Sequence, residues 1–322
     1  MTTFLPCIPF FVRIIARASA LRRLRAVSRS VDDDASSFNV RRTRRVSFST
    51  ILSTNELAEL LGRPSLVVVD VRSSLADADY GRNAYAAGHI PGAVYADLNR
   101  DLSDPPGGGR GRHPLPDVET IATTLGRLGI SSASHVVAYD DADGMYASRL
   151  WWMLKFLGHE RVAVLDGGVT KWISEQRAVS TDARAPTPVE FVASPRHEML
   201  ASAADVGAMR GDPSRLLLDS RAPDRFRGEN ETIDPVGGHI PGARNRFFKL
   251  NVREDGTMRP ASELAVDFRH VLGAVTPEAT VAYCGSGVTA CQNLLAMAHA
   301  GLTGAKLYAG SWSEWISSPA GR

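Results

Sequence analysis

The sequence predicts two tandem α/β domains, each an open parallel sheet covered by helices on both faces. The hexapeptide GHIPGA occurs at residues 88–93 and again at residues 238–243. An apolar run that ends in Asp-x-Arg precedes each copy, at residues 66–72 and 216–221. Matches in the same order along the chain indicate a duplicated domain. Because short apolar runs alternate with longer helical stretches, each copy is expected to build a parallel sheet with buried strands.

The individual elements of each copy follow from local patterns. The sequence Ser53-Thr-Asn-Glu56 has the spacing of a capping box, which predicts that a helix begins there. The apolar runs at residues 135–139 and 279–283 predict an equivalent pair of strands. Residues 151–157 and 291–300 follow these strands with an amphipathic or fully apolar pattern, so they are predicted to be helices.

Residues 178–198 separate the two copies. They are rich in Pro, Ala and Ser and have no periodic apolar pattern, which is typical of a linker. We therefore predict a first domain at residues 50–177 and a second at residues 199–322. A basic extension of residues 1–49 precedes them.

The first fifty residues hold ten arginines, three aspartates and no acidic residue before Asp32. An Arg- and Ser-rich segment of this kind fits a mitochondrial transit peptide. A disordered tail, or upstream sequence ahead of a start near Val46, explains it equally well. We expect a cytoplasmic protein, with a mitochondrial location as the alternative if the extension is a transit peptide.

The composition excludes several classes of protein. The 322 residues are 44% hydrophobic and 22% charged, as in an ordinary globular chain. Beyond residue 50 there are 27 basic and 32 acidic side chains, so we expect no nucleic-acid partner. The chain has no run of about 20 apolar residues, and we expect no membrane association. Three cysteines are too few for a disulfide scaffold or a structural zinc cluster.

One loop carries the residues that are expected to do chemistry. Cys284-Gly-Ser-Gly-Val-Thr289 lies between the predicted strand at 279–283 and the helix that follows it. Gly285 and Gly287 allow the loop to curl with its N–H groups pointing inward. Such a nest at a helix N-terminus stabilises an anion. A cysteine held there is expected to have a depressed pKa and to react as a thiolate nucleophile.

The tandem arrangement, both GHIPGA motifs, the loop at 284–290 and the closing Gly310-Ser-Trp-Ser-Glu-Trp315 resemble the two-domain rhodanese family. That family comprises the thiosulfate and 3-mercaptopyruvate sulfurtransferases. The resemblance implies two rhodanese-like domains, no cofactor, no metal, and a Cys284 persulfide that takes sulfane sulfur from a small anionic donor. The acceptor is then a small thiol, a thioredoxin-like protein or cyanide. Only the second domain is expected to be catalytic, since Asp140 holds the position of Cys284 in the first copy.

The persulfide is anionic near neutral pH, so its terminal sulfur requires several hydrogen-bond donors. The candidates are the loop N–H groups and two hydroxyls. Preorganised donors of this kind supply most of the electrostatic stabilisation in comparable anion sites. The expected cradle consists of Gly285, Ser286, Gly287, Val288 and Thr289.

An anionic donor also requires a cation that faces the loop. The resemblance assigns Arg225 to the substrate carboxylate or sulfonate. Arg221 is expected to pair with a nearby acid and fix the loop, with substrate binding as the alternative. Mercaptopyruvate enzymes often carry a second arginine before the second GHI motif. It is missing here, and Arg244 and Arg246 are the expected substitutes.

The residues that follow Cys284 bear on the choice of donor. Gly285 and Ser286 are neutral, as in the mercaptopyruvate enzymes, whereas thiosulfate enzymes usually carry basic residues there. We therefore predict 3-mercaptopyruvate as the donor and keep thiosulfate as the alternative. In the mercaptopyruvate enzymes the Ser286 position is proposed to relay a proton with a histidine. His89 is the matching histidine, and a purely structural role in its Ile-Pro-Gly turn is the alternative.

Other hypotheses remain beside this one. An inactive rhodanese-like module used for binding is the alternative of another class, although the intact Cys284 loop argues against it. A Cys-x5-Arg phosphatase is excluded because Ala290 stands where the arginine would be. Cys291 is expected to be a buried helix residue, with a regulatory disulfide as its alternative.

Overall fold

The computed structural model describes residues 48, 50–183 and 185–318. Apart from Phe48, the predicted extension of residues 1–49 lies outside the described residues, and so do its transit-peptide and start-site hypotheses. Among the residues described, no helix is both long enough and apolar enough to cross a membrane.

The first sheet is built from short apolar runs of strand length. Its strands are β1 (Ile51–Leu52), β2 (Leu66–Asp70), β3 (Val94–Tyr95), β4 (His135–Tyr139) and β5 (Val162–Leu165). The helices of this part of the chain are α1 (Thr54–Leu60), α2 (Tyr80–Ala87), α3 (Val118–Arg127), α4 (Ala147–Phe156) and α5 (Gly168–Ser174). The strands are parallel and lie in the order β1-β5-β4-β2-β3.

The second sheet repeats this order. Its strands are β6 (Leu216–Asp219), β7 (Arg244–Asn245), β8 (Thr280–Tyr283) and β9 (Lys306–Leu307). The helices are α6 (Ala203–Ala208), α7 (Pro223–Arg227), α8 (Ala261–Leu272), α9 (Thr289–His299) and α10 (Ser311–Trp315), with short 3-10 turns at His197–Met199, Phe248–Asn251 and Pro277–Ala279. The strands are parallel in the order β7-β6-β8-β9. Leu200 forms a parallel bridge to Leu307 at the place that β1 takes in the first sheet.

The predicted fold class, two tandem parallel sheets flanked by helices, is confirmed. The capping box that predicts α1 is also present. The Ser53 hydroxyl accepts the N–H of Glu56 at 3.2 Å, and the Glu56 carboxylate accepts the N–H of Ser53 at 3.0 Å. Ser202 and Asp205 form the same device at the start of α6.

Each copy contains the same buried ion pair at the end of its central strand. Arg72 donates to the Asp70 carboxylate at 2.6–3.1 Å and to the Gly88 carbonyl at 2.7 Å. Tyr139, on the neighbouring strand β4, donates to Asp70 at 2.7 Å. The second copy repeats the arrangement with Asp219, Arg221, Gly238 and Tyr283. The ion pair ties the strand end to the GHIPGA motif, which explains why Asp-x-Arg and GHIPGA recur together.

The two sheets share a hydrophobic core where α4 packs against α9. Trp151 and Leu154 from α4 lie in one buried cluster with Cys291 and Leu294 from α9. Cys284 belongs to the same cluster. The loop that follows β8 is therefore held in place by packing to which both copies contribute.

The limits of the domains stay a proposal. Among the described residues, positions 175–196 contain no helix and no strand. This is compatible with a first domain at residues 50–177, a linker at 178–198 and a second domain at 199–322.

Replacing Asp70 by Asn should destabilise the chain, because Arg72 would lose its buried carboxylate. Breaking a buried ion pair leaves an uncompensated charge and costs about 3–5 kcal/mol. Asp104, which pairs with Arg110 at 2.8 Å on the surface, provides the matched control. Asp104→Asn should cost less than about 1 kcal/mol. Urea unfolding followed by circular dichroism measures both variants, and equal midpoints would contradict the role given to the buried pair.

Candidate active site

Cys284 is the first residue after β8, at the carboxyl edge of the second sheet. The residue is 2% exposed, and its Sγ accepts a hydrogen bond from the N–H of Gly287 at 3.1 Å. The backbone of Cys284 is held from behind. Its N–H donates to Ser311 Oγ at 3.1 Å, and its carbonyl accepts the N–H of Trp312 at 3.0 Å. The sulfur therefore lies inside a loop whose backbone is anchored at its first residue.

Gly287 sets the curl of this loop. Its φ is +77°, and a Cβ at this position would lie 2.2 Å from the carbonyl oxygen of Ala309. Only glycine combines a left-handed backbone with so close an approach. Val288 and Thr289 then lead into α9, which begins at Thr289.

The equivalent loop of the first copy shows how this backbone holds an anion. Asp140 follows β4 as Cys284 follows β8, and it is buried. Its carboxylate accepts four backbone N–H groups at 2.8–2.9 Å. The donors are Ala142, Gly144, Tyr146 and Ala147. This loop is filled by its own carboxylate and presents no sulfur nucleophile.

Two arginines lie over the first residue after Cys284. A Cβ placed on Gly285 would be 2.8 Å from Arg112 Nη2 and 3.6 Å from Arg225 Nη2. Arg225 comes from α7 of the second copy, as the sequence predicts for a residue that faces the loop. Arg112 comes from the first copy. Both guanidinium groups are partly exposed, so they can meet a small anion at the loop.

Two buried carboxylates stand behind these arginines. Arg225 donates to Glu231 at 2.8 Å and to Asp234 at 3.1 Å. Arg112 donates to the other oxygen of Asp234. Burial raises the pKa of Asp234 above its ordinary value, although Arg112 opposes the shift. Burial also acts to raise the pKa of Glu231, but the hydrogen bonds from Arg225 and from backbone N–H groups outweigh it, and that pKa is lowered.

Arg112 takes the place that the sequence assigns to Arg244 or Arg246, and this corrects the earlier expectation. Arg244 donates to the Val271 carbonyl at 2.6 Å, at the end of α8. Arg246 donates to the carbonyl of Phe247 at 3.0 Å. Both side chains are thus used within the fold, away from Gly285. The segment GGGRGR at 107–112 looks like a surface loop in the sequence, and nothing in its pattern marks Arg112 as a site residue.

A histidine of the first copy contacts the loop. His113 Nδ1 and Ser286 Oγ share a hydrogen bond of 2.7 Å, and both residues are buried. Burial lowers the pKa of His113 to about 4, and the charges of Arg149 and Arg112 act in the same direction. The imidazole is therefore neutral at pH 7 and can accept a proton.

His113, and not His89, is the histidine beside Ser286. His89 Nδ1 lies 2.8 Å from the Tyr85 carbonyl, and its Nε2 lies 3.2 Å from the Asp182 carbonyl. These contacts hold the GHIPGA turn within the first copy. The contact predicted between His89 and Ser286 is absent, because the motif packs against its own helix and against the segment around Asp182.

Arg149 on α4 is buried beneath the loop. It donates to the Gly287 carbonyl at 3.2 Å and to the His113 carbonyl at 3.4 Å. Burial lowers the pKa of Arg149, whereas the sulfurs of Cys291 and Cys284 act to raise it. Arg149 thus joins the loop of the second copy to the segment of the first copy that carries His113.

Arg221 and Cys291 occupy positions inside the fold. Arg221 spends its donors on Asp219 and on the Gly238 carbonyl, at 2.7 Å for the closest contact to each, so the structure does not direct it at the loop opening. Cys291 Sγ donates to the Gly287 carbonyl at 3.3 Å, and burial raises the pKa of this thiol to about 12. Both Cys284 and Cys291 are free thiols.

The described residues contain no group of three His, Cys, Asp or Glu side chains that could hold a metal ion. The site consists of one nucleophile, one hydroxyl–imidazole pair and two cations backed by acids. This set can bind a small anion and carry out nucleophilic transfer at sulfur.

Comparison with known families gives one clear match. A family model described as "Rhodanese-like domain" matches residues 53–175 and 202–318. The two matched segments contain the two sheets in turn, and the second contains Cys284.

Individual relatives match along most of their length. The chain is 45% identical over 276 residues to "Probable 3-mercaptopyruvate sulfurtransferase" of Pseudomonas aeruginosa, covering 85% of this chain and 97% of the relative. It is 34% identical over 283 residues to thiosulfate sulfurtransferase of Rattus norvegicus, covering 84% of this chain and 93% of the relative. The crystal structure of the 3-mercaptopyruvate sulfotransferase SseA from Escherichia coli superposes with a TM-score of 0.72 at 32% identity, over 82% of this chain and 99% of that one.

Replacing Gly287 by Ala should both destabilise the chain and slow the reaction of Cys284 with iodoacetamide. The added Cβ meets the Ala309 carbonyl at 2.2 Å, and the positive φ is strained for alanine. A loss of at least about 2 kcal/mol is expected. Gly62 has a similar φ of +82° with nothing within 4 Å of its Cβ position, so Gly62→Ala isolates the cost of the backbone angle. If both variants unfold at the same urea concentration, the close approach to Ala309 does not constrain the loop.

Proposed function

Since the chain belongs to the rhodanese family, whose relatives named above are sulfurtransferases, we propose that it transfers sulfur from 3-mercaptopyruvate to a thiol or cyanide through a Cys284 persulfide. One observation carries the proposal. Cys284 lies in a neutral, glycine-rich loop at a strand end, under two arginines and beside a hydroxyl–imidazole pair. A carboxylate, a thiol and a transferable proton in one small donor match these three features.

Arg225 and Arg112 are the groups that we propose to bind the donor carboxylate. A carboxylate over Gly285 lies within reach of both guanidinium groups, which are the strongest recognition elements for such an anion in proteins. The thiol of the donor is then directed at the sulfur of Cys284. Arg221 supports this arrangement from below, through Asp219 and the second GHIPGA motif, without a role as a ligand.

In the first half-reaction, the Cys284 thiolate attacks the thiol sulfur of 3-mercaptopyruvate and a sulfur–sulfur bond forms. The carbon–sulfur bond breaks, and its electron pair passes to carbon as the enolate of pyruvate. The thiol proton is lost from the new persulfide, and the enolate carbon takes up one proton. No external proton or electron is needed, so the step requires only a path for one proton.

Ser286 and His113 provide that path in our proposal. The neutral imidazole takes a proton through the Ser286 hydroxyl as the persulfide ionises, and the same pair returns it to the methylene carbon. The resulting persulfide anion is stabilised by the loop of Gly285, Ser286, Gly287, Val288 and Thr289. The four N–H groups around the Asp140 carboxylate support this role, since the first copy uses an equivalent loop on a fixed anion.

In the second half-reaction, an acceptor thiolate attacks the terminal sulfur of the persulfide. A new sulfur–sulfur bond forms, and Cys284 leaves as the thiolate with the electron pair of the broken bond. A small thiol or a thioredoxin-like protein serves as acceptor, and cyanide does so with formation of thiocyanate. We place this chemistry in the cytoplasm, where thiols stay reduced, with mitochondria as the alternative for a chain whose extension is a transit peptide.

Thiosulfate is the second candidate donor, and the two arginines favour it because they also suit a sulfonate-like oxyanion. The Cys284 thiolate would take the outer sulfur of thiosulfate, and sulfite would leave with the electron pair. No proton moves in that step. The two donors therefore differ in their need for Ser286 and His113.

Steady-state sulfur transfer to cyanide, measured with each donor in turn, tests the proposed function. We expect kcat/KM for 3-mercaptopyruvate to exceed that for thiosulfate by about tenfold or more, since the loop carries no cation directly after Cys284. Cys284→Ser should abolish turnover with both donors, and Cys291→Ser is the matched control that should retain it. A preference for thiosulfate would reverse the donor assignment. Absence of Cys284-dependent turnover with both donors would leave a binding module.

Ser286→Ala should lower kcat for 3-mercaptopyruvate by about 100-fold, the usual contribution of positioned acid–base groups. The same variant should change kcat for thiosulfate less than about threefold, because no proton is transferred with that donor. His113→Asn should behave likewise. Ser103→Ala, at another buried serine of the first copy, controls for the loss of a hydroxyl. Equal losses with both donors would show that Ser286 shapes the loop and moves no proton.

A further inference from the structure

Asp234 lies behind the two arginines of the site without reaching the loop opening itself. Its side chain is 2% exposed, whereas those of Arg112 and Arg225 are 28% and 18% exposed. One carboxylate oxygen contacts Arg112 and the other contacts Arg225 at 3.1 Å. The acid therefore bridges a cation from each copy of the duplicated domain.

The charges around the opening balance. Three arginines face three carboxylates within one connected set: Arg112, Arg221 and Arg225 with Asp219, Glu231 and Asp234. The formal net charge of the set is zero. Because Gly285 and Ser286 are neutral, the opening presents two guanidinium groups with their charge largely compensated from behind.

The two candidate donors differ most in charge. At neutral pH, 3-mercaptopyruvate carries one carboxylate charge and a thiol, whereas thiosulfate is a dianion. Both are small, so differences in shape offer little discrimination. A compensated pair of arginines can bind one negative charge by hydrogen bonds, but it attracts a second negative charge weakly.

We propose that Asp234 determines donor specificity: by neutralising the Arg112–Arg225 pair it favours the monoanionic 3-mercaptopyruvate over dianionic sulfur donors. The inference rests on the proposed function and adds to it a residue that never touches the donor. Asp234 acts through the two arginines, and its charge, more than its shape, is what discriminates.

Asp234→Asn tests this directly, since the amide keeps the size of the side chain and removes its charge. We expect the ratio of kcat/KM for thiosulfate to kcat/KM for 3-mercaptopyruvate to rise about tenfold. Asp234→Glu retains the charge and should leave the ratio within about twofold of wild type, even if absolute activity falls. Glu229→Gln is the matched control in the same segment. Glu229 pairs with Arg227 at the surface, and the ratio should not change.

An equal loss of activity with both donors in Asp234→Asn would overturn the proposal and leave Asp234 as a support for the arginines. So would an equal change of the ratio in Asp234→Glu. Dissociation constants of thiosulfate and of 3-mercaptopyruvate, measured by calorimetry in a Cys284→Ser background, should shift in the same sense. This binding measurement stays informative if the wild-type chain turns over neither donor, which separates a failure of this inference from a failure of the proposed function.

Discussion

The packing of α4 against α9 is the constraint on which the active site depends. Arg149 lies at this junction, with hydrogen bonds to the carbonyls of Gly287 and His113. In the part of the chain that the structure describes, no carboxylate pairs with it, and its Nε has no partner. A buried cation of this kind is costly. Its position explains its presence, because it fixes the cysteine loop of one copy relative to the histidine of the other.

The duplicated domain consequently forms one site and not two. The second copy supplies the nucleophile, its loop and Arg225, while the first supplies His113 and Arg112. The loop of the first copy satisfies its own N–H groups with Asp140, a carboxylate that needs no further ligand. In the second copy the thiol sulfur takes one N–H, from Gly287. Equivalent backbones thus serve two purposes, a closed structural turn and an open cradle for a transferred atom.

What the sequence predicts correctly depends on residues that are close together along the chain. The strands, the capping box at Ser53 and the paired Asp-x-Arg and GHIPGA motifs are local patterns, and they recover the fold. The position of Cys284 at the end of β8 follows from the same kind of pattern. His113 and Arg112 escape prediction because they lie more than 170 residues from the loop they contact. Their Gly-rich segment reads as surface, and only its packing against Ser313 and Gly310 directs them inward.

The same distinction explains the errors. His89 belongs to a motif that resembles an active-site element, but hydrogen bonds within its own copy use both ring nitrogens. Arg244 is adjacent in sequence to the second motif, yet the direction of β7 turns it towards the carbonyls that end α8. A pattern identifies the type of residue that a site needs, whereas the packing of two domains selects which copy supplies it.

Charge balance is the property of this site that reaches furthest. A donor of a few atoms offers the protein few contacts, so a pocket can discriminate little by shape. Coulomb interactions act over a longer range than contacts, and partial burial weakens their screening by salt. Carboxylates that stand behind the arginines, out of reach of any ligand, can therefore affect which anion binds. The neutral residues after Cys284 and the acids behind Arg112 and Arg225 act in the same direction: each lowers the positive potential at the opening and leaves the hydrogen-bond donors in place.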